Sequence, residues 1–370
     1  LGPRVKEGSQ LLGVATLAFS FLILSRFTED IVRAAVDVMG GDRAPGAILQ
    51  GCWQAAPLLD GDDCIYLVGD ESAIRSAMAA SGLDEVQKAR YTVIATTEVI
   101  EMDESPVEAI RGKPKSSINV MCDLAKKGLA DVVISAGNTG ACVAAAQLKM
   151  RTLAGVSRPG IAVILPTFYG PVVVCDVGAN IAPQPRHLQQ YAIMAGAYAS
   201  AVVGIENPRV GLLSIGEEDA KGTQMVKNAR KLMRDEPQLN FIGNVEGRDL
   251  FKGVVDVVVC DGFVGNIVLK FTEGLAEGLF QTITAELQEE GPEMLEQFKP
   301  VLKKLHARHD WQEYGGAPLL GVGGYCLICH GRSEARAIKN AIRVGKQLVS
   351  SGVNGKIMEQ IAVSIPGGED

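Results

Sequence analysis

An α/β fold, with a mostly parallel sheet and helices on both faces, is predicted by three observations. Short β-branched runs recur from Arg33 onward without polar alternation, the pattern of strands buried on both faces. Helical stretches separate many of these runs, and strand–helix–strand repetition makes neighbouring strands parallel. The loops that close the runs are small, polar and glycine-punctuated, as ligand loops are at the carboxyl ends of strands in an open parallel sheet.

In chain order, "RAAVDVM" reads as the first strand and "GGDRAPGAILQGCWQAA" as a loop entering a helix. "CIYLVG" is the second strand, and "DESAIRSAMAASG" opens with acidic residues suited to a helix start. "YTVIAT", "ADVVISA", "GIAVILP", "PVVVCDVG", "RVGLLSIG", "LNFIGNV" and "VVDVVVC" are further strands. "SSINVMCDLAKKGL", "RHLQQYAIMAGAYASAVVG" and "AKGTQMVKNARKLMRDE" carry helical patterns between them. "IAVILPTFYGPVVVCDVG" departs from the rule: two strands joined by a Gly-Pro turn, expected to be antiparallel. Residues 271–310 read as a helical hairpin broken at Gly291-Pro292. The expected folded domain is 33–352, with 353–370 as a tail. No fixed-period repeat is visible.

The segment "LLGVATLAFSFLIL", Leu11 to Leu24, is uncharged but shorter than the ~20 residues of a membrane span. Arg4 and Lys6 before it suit a signal or anchor, yet "SRFTED" after it offers no small-residue cleavage site. Residues 1–32 are therefore expected to be an extension outside the fold.

The chain has 370 residues, a net charge of -7 and a hydrophobic fraction of 47%. That balance provides a substantial core and excludes a general nucleic-acid affinity, which needs a basic face. Most of the cysteines sit in apolar runs and read as core residues of a reduced, cytoplasmic compartment. "CLICH", Cys326 to His330, matches the c-type haem pattern, but its cysteines flank Leu-Ile in a strand-like run. With no second cysteine pair nearby, a zinc site is not expected either, and neither metal nor cofactor is called for.

The loops after the strands carry the chemistry. They read "MGGDRAP", "SAGNTGA", "CDVGANIAP", "SIGEEDAKG", "GNVEGRD", "CDGFVGN" and "CHGRS". None is a P-loop, and no GxGxxG follows the first strand. Glycine lets a ligand approach the backbone, and Asn, Thr and Ser offer uncharged hydrogen bonds. "EAIRGKPKSSINV" places Arg111, Lys113 and Lys115 before Ser116-Ser117, a helix N-cap suited to a phosphate or an acidic partner. There is no GxSxG, and the histidines are His187, His306, His309 and His330. If the reaction is acyl transfer, something other than Ser or Cys attacks.

In this order "VDVMGGDRAP", "SAGNTGA", "VCDVGAN", "SIGEEDAKG", "FIGNVEGRD", "VVVCDGFVGN", "YGGAPLLGV" and "HGRS" resemble the PlsX family of phosphate acyltransferases, over about Ala34 to Val349. The resemblance implies a Rossmann-like three-layer sandwich related to phosphotransacetylases and isopropylmalate-type dehydrogenases. It implies transfer of an acyl group from acyl-acyl-carrier-protein to inorganic phosphate, for glycerophospholipid synthesis. It also implies a cytoplasmic homodimer, peripheral at the inner face of the cell membrane, that supplies a glycerol-3-phosphate acyltransferase.

On that reading Asn138, Lys221, Asn266 and His330 are the expected catalytic groups, with His330 alternatively structural. Ser135, Gly137, Thr139, Asn180 and Asn244 would bind phosphate or the thioester oxygen. Asp42, Asp176, Glu246 and Asp261 would orient the donors. Arg111, Lys113 and Lys115, with Lys303, Lys304 and Arg308 as a second patch, would meet the carrier protein. Asn138→Ala would then cut turnover while sparing stability.

Two departures from the family pattern stand out. The hairpin tip "ELQEEGPEMLEQF" is acidic and would repel anionic lipid, so Phe271, Leu275, Leu279, Ile283 and Leu287 read as a dimer or core face. Gly323-Gly324 stands where relatives often continue with Asn. A phosphotransacetylase acting on acyl-coenzyme A, and a non-catalytic carrier-protein scaffold, remain as alternative readings.

Overall fold

The computed structural model describes residues 31–309 and 311–364, without the side chains of 306–309, 311 and 312. Residues 1–30 of the proposed extension and the side chain of Arg308 thus lie outside the described residues, whereas Val32 belongs to the fold: it is buried and its N–H donates to Asp63 Oδ1 at 2.7 Å.

The first part of the chain runs β1 (Arg33–Asp37), α1 (Gly46–Gln54), β2 (Cys64–Gly69), α2 (Glu71–Ala79), α3 (Glu85–Lys88) and β3 (Tyr91–Ala95). It continues through α4 (Pro106–Gly112), α5 (Ser117–Lys126), β4 (Val132–Ser135) and α6 (Thr139–Ala145). The middle part holds β5 (Gly160–Thr167), β6 (Gly170–Cys175), α7 (Pro185–Tyr198), β7 (Arg209–Leu213), α8 (Gln224–Arg234), β8 (Asn240–Val245) and β9 (Val257–Val259). The long helices α9 (Gly262–Glu289) and α10 (Pro292–His309) follow. The chain then returns to the first part with β10 (Ala317–Leu320), β11 (Tyr325–Ile328), α11 (Ala335–Ser351) and α12 (Val353–Val363).

These strands form one 11-stranded sheet in the order β3-β2-β1-β4-β11-β10-β5-β6-β9-β7-β8. β3, β2, β1, β4 and β11 are mutually parallel, and so are β6, β9, β7 and β8. Three antiparallel pairings, β11 with β10, β10 with β5 and β5 with β6, join the two blocks. The expected β5–β6 excursion is present. An odd number of reversals also points the two blocks in opposite senses. The polar loops therefore do not share one sheet edge, as a wholly parallel reading would have them. Those after β1, β4 and β11 leave by one edge, and those after β6, β9, β7 and β8 by the other.

Alternate residues of each strand enter separate cores. Val132 and Ile134 face one side with α1, α7, α11 and α12, while Val133 faces the other with α4, α5 and α6. Burial on both faces is why these strands read as unbroken Val and Ile. Cys326 and Cys329 follow the same alternation into opposite cores, and both are buried.

α12 corrects the expected tail. Val353, Ile357 and Ile361 recur at helical spacing and are buried in the core that holds α7. The Asn354 amide donates to the carbonyls of Val322 and Gly324, at 3.1 and 2.8 Å. The hairpin forms as expected, with Gly291 at φ 124° where the chain turns. Its apolar stripe is not core, because Phe263, Ile267, Phe271, Leu275, Leu279 and Ile283 are exposed at four-residue spacing.

If α12 belongs to the core, Ile357→Ala should lower unfolding free energy by about 2–4 kcal/mol, as buried Ile truncations do. Urea denaturation of the full chain measures it, and an unchanged midpoint would return 353–363 to the status of a tail.

Candidate active site

At the first edge a buried carboxylate organises the loops. Asp37 ends β1 and is buried. The Ser135 hydroxyl donates to its Oδ2 at 2.7 Å, and the Met39 N–H to its Oδ1 at 3.1 Å. Burial pushes the Asp37 carboxyl above the usual range, opposed by bonds from Ser117, Ser135 and the backbone of Met39 and Gly40. A Cβ on Gly40 would stand 2.3 Å from Asp37 Oδ2, so the loop passes only as glycine. Ser135 Oγ also accepts the Gly137 N–H at 3.0 Å. Both groups of Ser135 thus face inward.

Asn138 has a different place from the one expected. Its Oδ1 caps α6 by accepting the Ala141 N–H at 3.0 Å. Its amide nitrogen faces the carbonyls of Glu101, Met102 and Glu104 at 3.1–3.2 Å. The side chain fastens residues 101–104 to the loop and has no donor left for a reacting centre. Thr139 beside it is exposed. Asp42 is exposed as well, and its N–H bonds the Gly331 carbonyl at 2.8 Å.

His330 follows β11. Its Nε2 lies 2.8 Å from Nζ of Lys270 on α9, and its Nδ1 accepts the Arg332 N–H at 3.1 Å. A neutral ring has one acceptor nitrogen, so the Lys270 and Arg332 contacts belong to different tautomers of His330. Burial, then Lys270 and Arg332, hold the imidazole below its ordinary value of about 6.5, against Glu273 and Asp42. The ring is neutral at pH 7 and does not arrive as a charged acid. Lys270, which also pairs with Glu273 at 2.9 Å, is the partner of His330 that the sequence reading missed.

The second edge repeats the device of the first. Asp176, just past β6, accepts the backbone N–H groups of Ile161, Gly178, Ala179 and Asn180 at 2.7–3.1 Å. Burial raises its carboxyl, and these bonds oppose the rise. The Asn180 amide donates to the Pro159 carbonyl and the Tyr191 hydroxyl, both at 2.7 Å. Asp261 caps α9 through the Val264 N–H at 2.9 Å, and Asn266 is exposed on that helix. Asn244 is buried; its amide donates to the Glu218 carbonyl at 3.1 Å, while its Oδ1 has no partner. Glu246 pairs with Arg248 at 3.0 Å. Lys221 is exposed, in a loop that Arg230 and Arg234 anchor through Asp219.

The two edges meet through α9. This helix begins behind β9 and reaches His330, behind β11, by Lys270. Eight residue steps cover about 12 Å at ~1.5 Å each.

Of the expected carrier-protein cations, Lys113 is neutralised internally, on Glu104 and the Val99 carbonyl. Arg111, Lys115, Lys303 and Lys304 remain exposed. Among the described residues, no group of three or more His, Cys, Asp or Glu side chains is placed to hold a metal ion.

A family model described as fatty acid synthesis protein matches residues 32–356. A phosphate acyltransferase of Heliobacterium modesticaldum is 48% identical over 332 residues, covering 89% of this chain and 98% of its own. One of Nostoc punctiforme is 45% identical over 333 residues, covering 89% and 96%. The chain belongs to the phosphate acyltransferase family. Among solved structures, a phosphotransacetylase of Streptococcus pyogenes superposes with a TM-score of 0.62 at 18% identity, over 90% of this chain and 98% of that one. The EutD phosphotransacetylase of Staphylococcus aureus gives 0.57 at 15% identity, over 93% and 98%. At these identities the likeness is one of fold.

Two outcomes follow from the side-chain bonds. Asn138→Ala should now cost about 2 kcal/mol of stability, from a lost cap and orphaned carbonyls. A thermal midpoint equal to that of the parent would count against this placement. For His330, the folded chain disfavours the protonated ring, so the unfolded chain binds more protons as pH falls through about 6.5. The contribution of His330 to stability falls in the same direction. Imidazole NMR should show its midpoint below 6.5, and Lys270→Gln should move it upward by removing the cation.

Proposed function

We propose that this enzyme transfers a fatty acyl group from acyl-acyl-carrier-protein to inorganic phosphate, giving an acyl phosphate for glycerophospholipid synthesis. The observation that carries the reading is a pair of loop sets, linked by the Lys270–His330 contact, whose buried carboxylates are bonded inward, leaving Lys221, Lys270, Asn266 and Thr139 as outward donors. Such a site binds and polarises acceptor-rich groups and supplies no nucleophile of its own. The Cys329 thiol illustrates the point, since burial pushes it up to about 12. Ser135 is tied to Asp37.

Phosphate fits that lack. It is anionic at neutral pH and attacks the thioester carbonyl without a base. The carrier thiol, with a free pKa of ~8.5, leaves with little help from an acid. The protein's task is to hold the reactants together and to stabilise the oxyanion. Lys270, beside neutral His330, suits the oxyanion or the departing sulfur. Lys221 suits phosphate.

The carrier protein has a fitting place at α4. A cavity of about 580 Å³ there has an apolar floor at Val107, Ala144 and Leu148, with Arg111 and Arg151 among its lining. That combination matches an acidic helix with an apolar anchor. The exposed stripe on α9 suits a second copy of the chain, consistent with a homodimer. Among the described residues no helix is long and apolar enough to cross a membrane. Contact with a membrane surface and hand-over to a glycerol-3-phosphate acyltransferase belong to the same proposal. The fold likeness to phosphotransacetylases favours a second reading, in which acyl-coenzyme A is the donor.

The deciding experiment is phosphate-dependent release of free thiol from an acyl-acyl-carrier-protein, run beside acyl-coenzyme A. Release from the carrier protein alone is expected; release from coenzyme A alone selects the second reading. In the same assay Lys221→Ala should raise the half-saturating phosphate concentration roughly tenfold, the size of one charge-assisted contact, with turnover at saturation retained.

A further inference from the structure

A cavity of about 490 Å³ opens in front of α7, beside the loop that Asp176 organises. Arg158, Asn180, Gln184 and His187 are among its lining residues, and no carboxylate is. In a chain with 43 Asp and Glu against 36 Lys and Arg, an acid-free cavity beside a guanidinium is not the average surface.

The lining offers donors. His187 Nδ1 accepts the Gln184 N–H at 3.0 Å, so a neutral ring keeps its proton on Nε2. Arg158 and the neighbouring Arg186 are exposed and have no carboxylate partner among the described residues. Most arginines elsewhere do: Arg33 has Asp131, Arg209 has Asp256, and Arg230 has Asp219.

The backbone on both sides of Arg158 is clamped by amides from elsewhere. The Ser157 N–H donates to Gln190 Oε1 at 2.9 Å, and the Pro159 carbonyl accepts from the Asn180 amide at 2.7 Å. Gln190 also donates to the Gly155 carbonyl at 2.8 Å. A guanidinium without an internal partner, on a backbone fixed from both sides, is set for something outside the chain. The imidazole registers the same cations: burial, then Arg158 and Arg186, hold His187 below its ordinary value.

We propose that this cavity is a phosphate subsite, with Arg158 and His187 as its donors and Arg186 as a neighbouring cation. The phosphoryl group it takes is inorganic phosphate or the phosphodiester of the carrier protein's pantetheine arm. Asn180 acts there as a positioning residue, since its amide is engaged with Pro159 and Tyr191. The choice of ligand rests on the proposed activity; the anion site itself rests on the geometry.

The test follows the His187 imidazole by NMR while the full-length protein is titrated with inorganic phosphate. A second titration uses holo acyl carrier protein, with the armless apo form as its control. An anion beside the ring should raise its midpoint saturably, and Arg158→Gln combined with Arg186→Gln should weaken that response at least ~tenfold. A response to phosphate identifies the cosubstrate as the ligand; a response only to the holo carrier identifies the arm. No response to either overturns the subsite. Both arginines are exposed, so the double variant should keep the parent's thermal midpoint, and Arg158→Lys serves as a conservative second variant. Turnover separates the two proposals. Phosphate binding without thiol release would sink the activity and leave the subsite standing. Thiol release with unchanged KM for both substrates in the double variant would do the reverse.

Discussion

Two buried carboxylates govern this structure. A carboxylate taken out of water persists only if donors surround it, and the donors available at a strand end are the N–H groups of the next loop. Asp176 gathers four of them, and Asp37 gathers two hydroxyls and the backbone after β1. Each loop is thereby wound around its acid, and the close passages leave no room for side chains. A Cβ on Gly265 would stand 1.9 Å from the Asp176 carbonyl oxygen, and one on Gly40 would meet Asp37 itself. At Gly40, Gly137, Gly262 and Gly265 the glycine is a packing consequence of the acid beside it.

This arrangement separates two roles that small polar loops combine on paper. Ser135, Asn138 and Asn180 hold the loops in shape, while Lys221, Lys270, Thr139 and Asn266 are turned outward. Their division fits a reaction in which the substrates bring both nucleophile and leaving group. The scaffold then has only to be rigid, with its few cations placed where negative charge gathers.

Much of the fold was legible because strands buried on both faces cannot hide their apolar residues. The β5–β6 hairpin was legible from its turn. The reversed sense of the two blocks was not, because it depends on β10 and β11, whose pairing across the sheet leaves no local signature. Asp37 was missed since an acid closing "RAAVD" looks like the strand's solvent end, and its burial comes from Ser135, far along the chain. Asn138 was recognised as important but misplaced in role: "SAGNTGA" cannot show that residues 101–104 will sit over the amide. Lys270 lies mid-helix with nothing to mark it until α9 brings it to His330. Val353, Ile357 and Ile361 did carry a readable helical spacing, obscured by the glycines around them.

The return of the chain to its first part has a consequence for synthesis. β4 carries the Ser135 loop, yet its neighbour β11 is among the last strands made; Cys142 and Cys326, whose sulfurs lie 3.6 Å apart, are separated by 184 residues. At about 5–20 residues per second the flank of β4 stays uncovered for roughly ten seconds or more on the ribosome. During that interval the nascent chain exposes an apolar strand edge suited to pairing with any other strand. The growing polypeptide thus passes through a sticky half-made stage, where chaperones would find it, before its own carboxyl-terminal end arrives to close the gap.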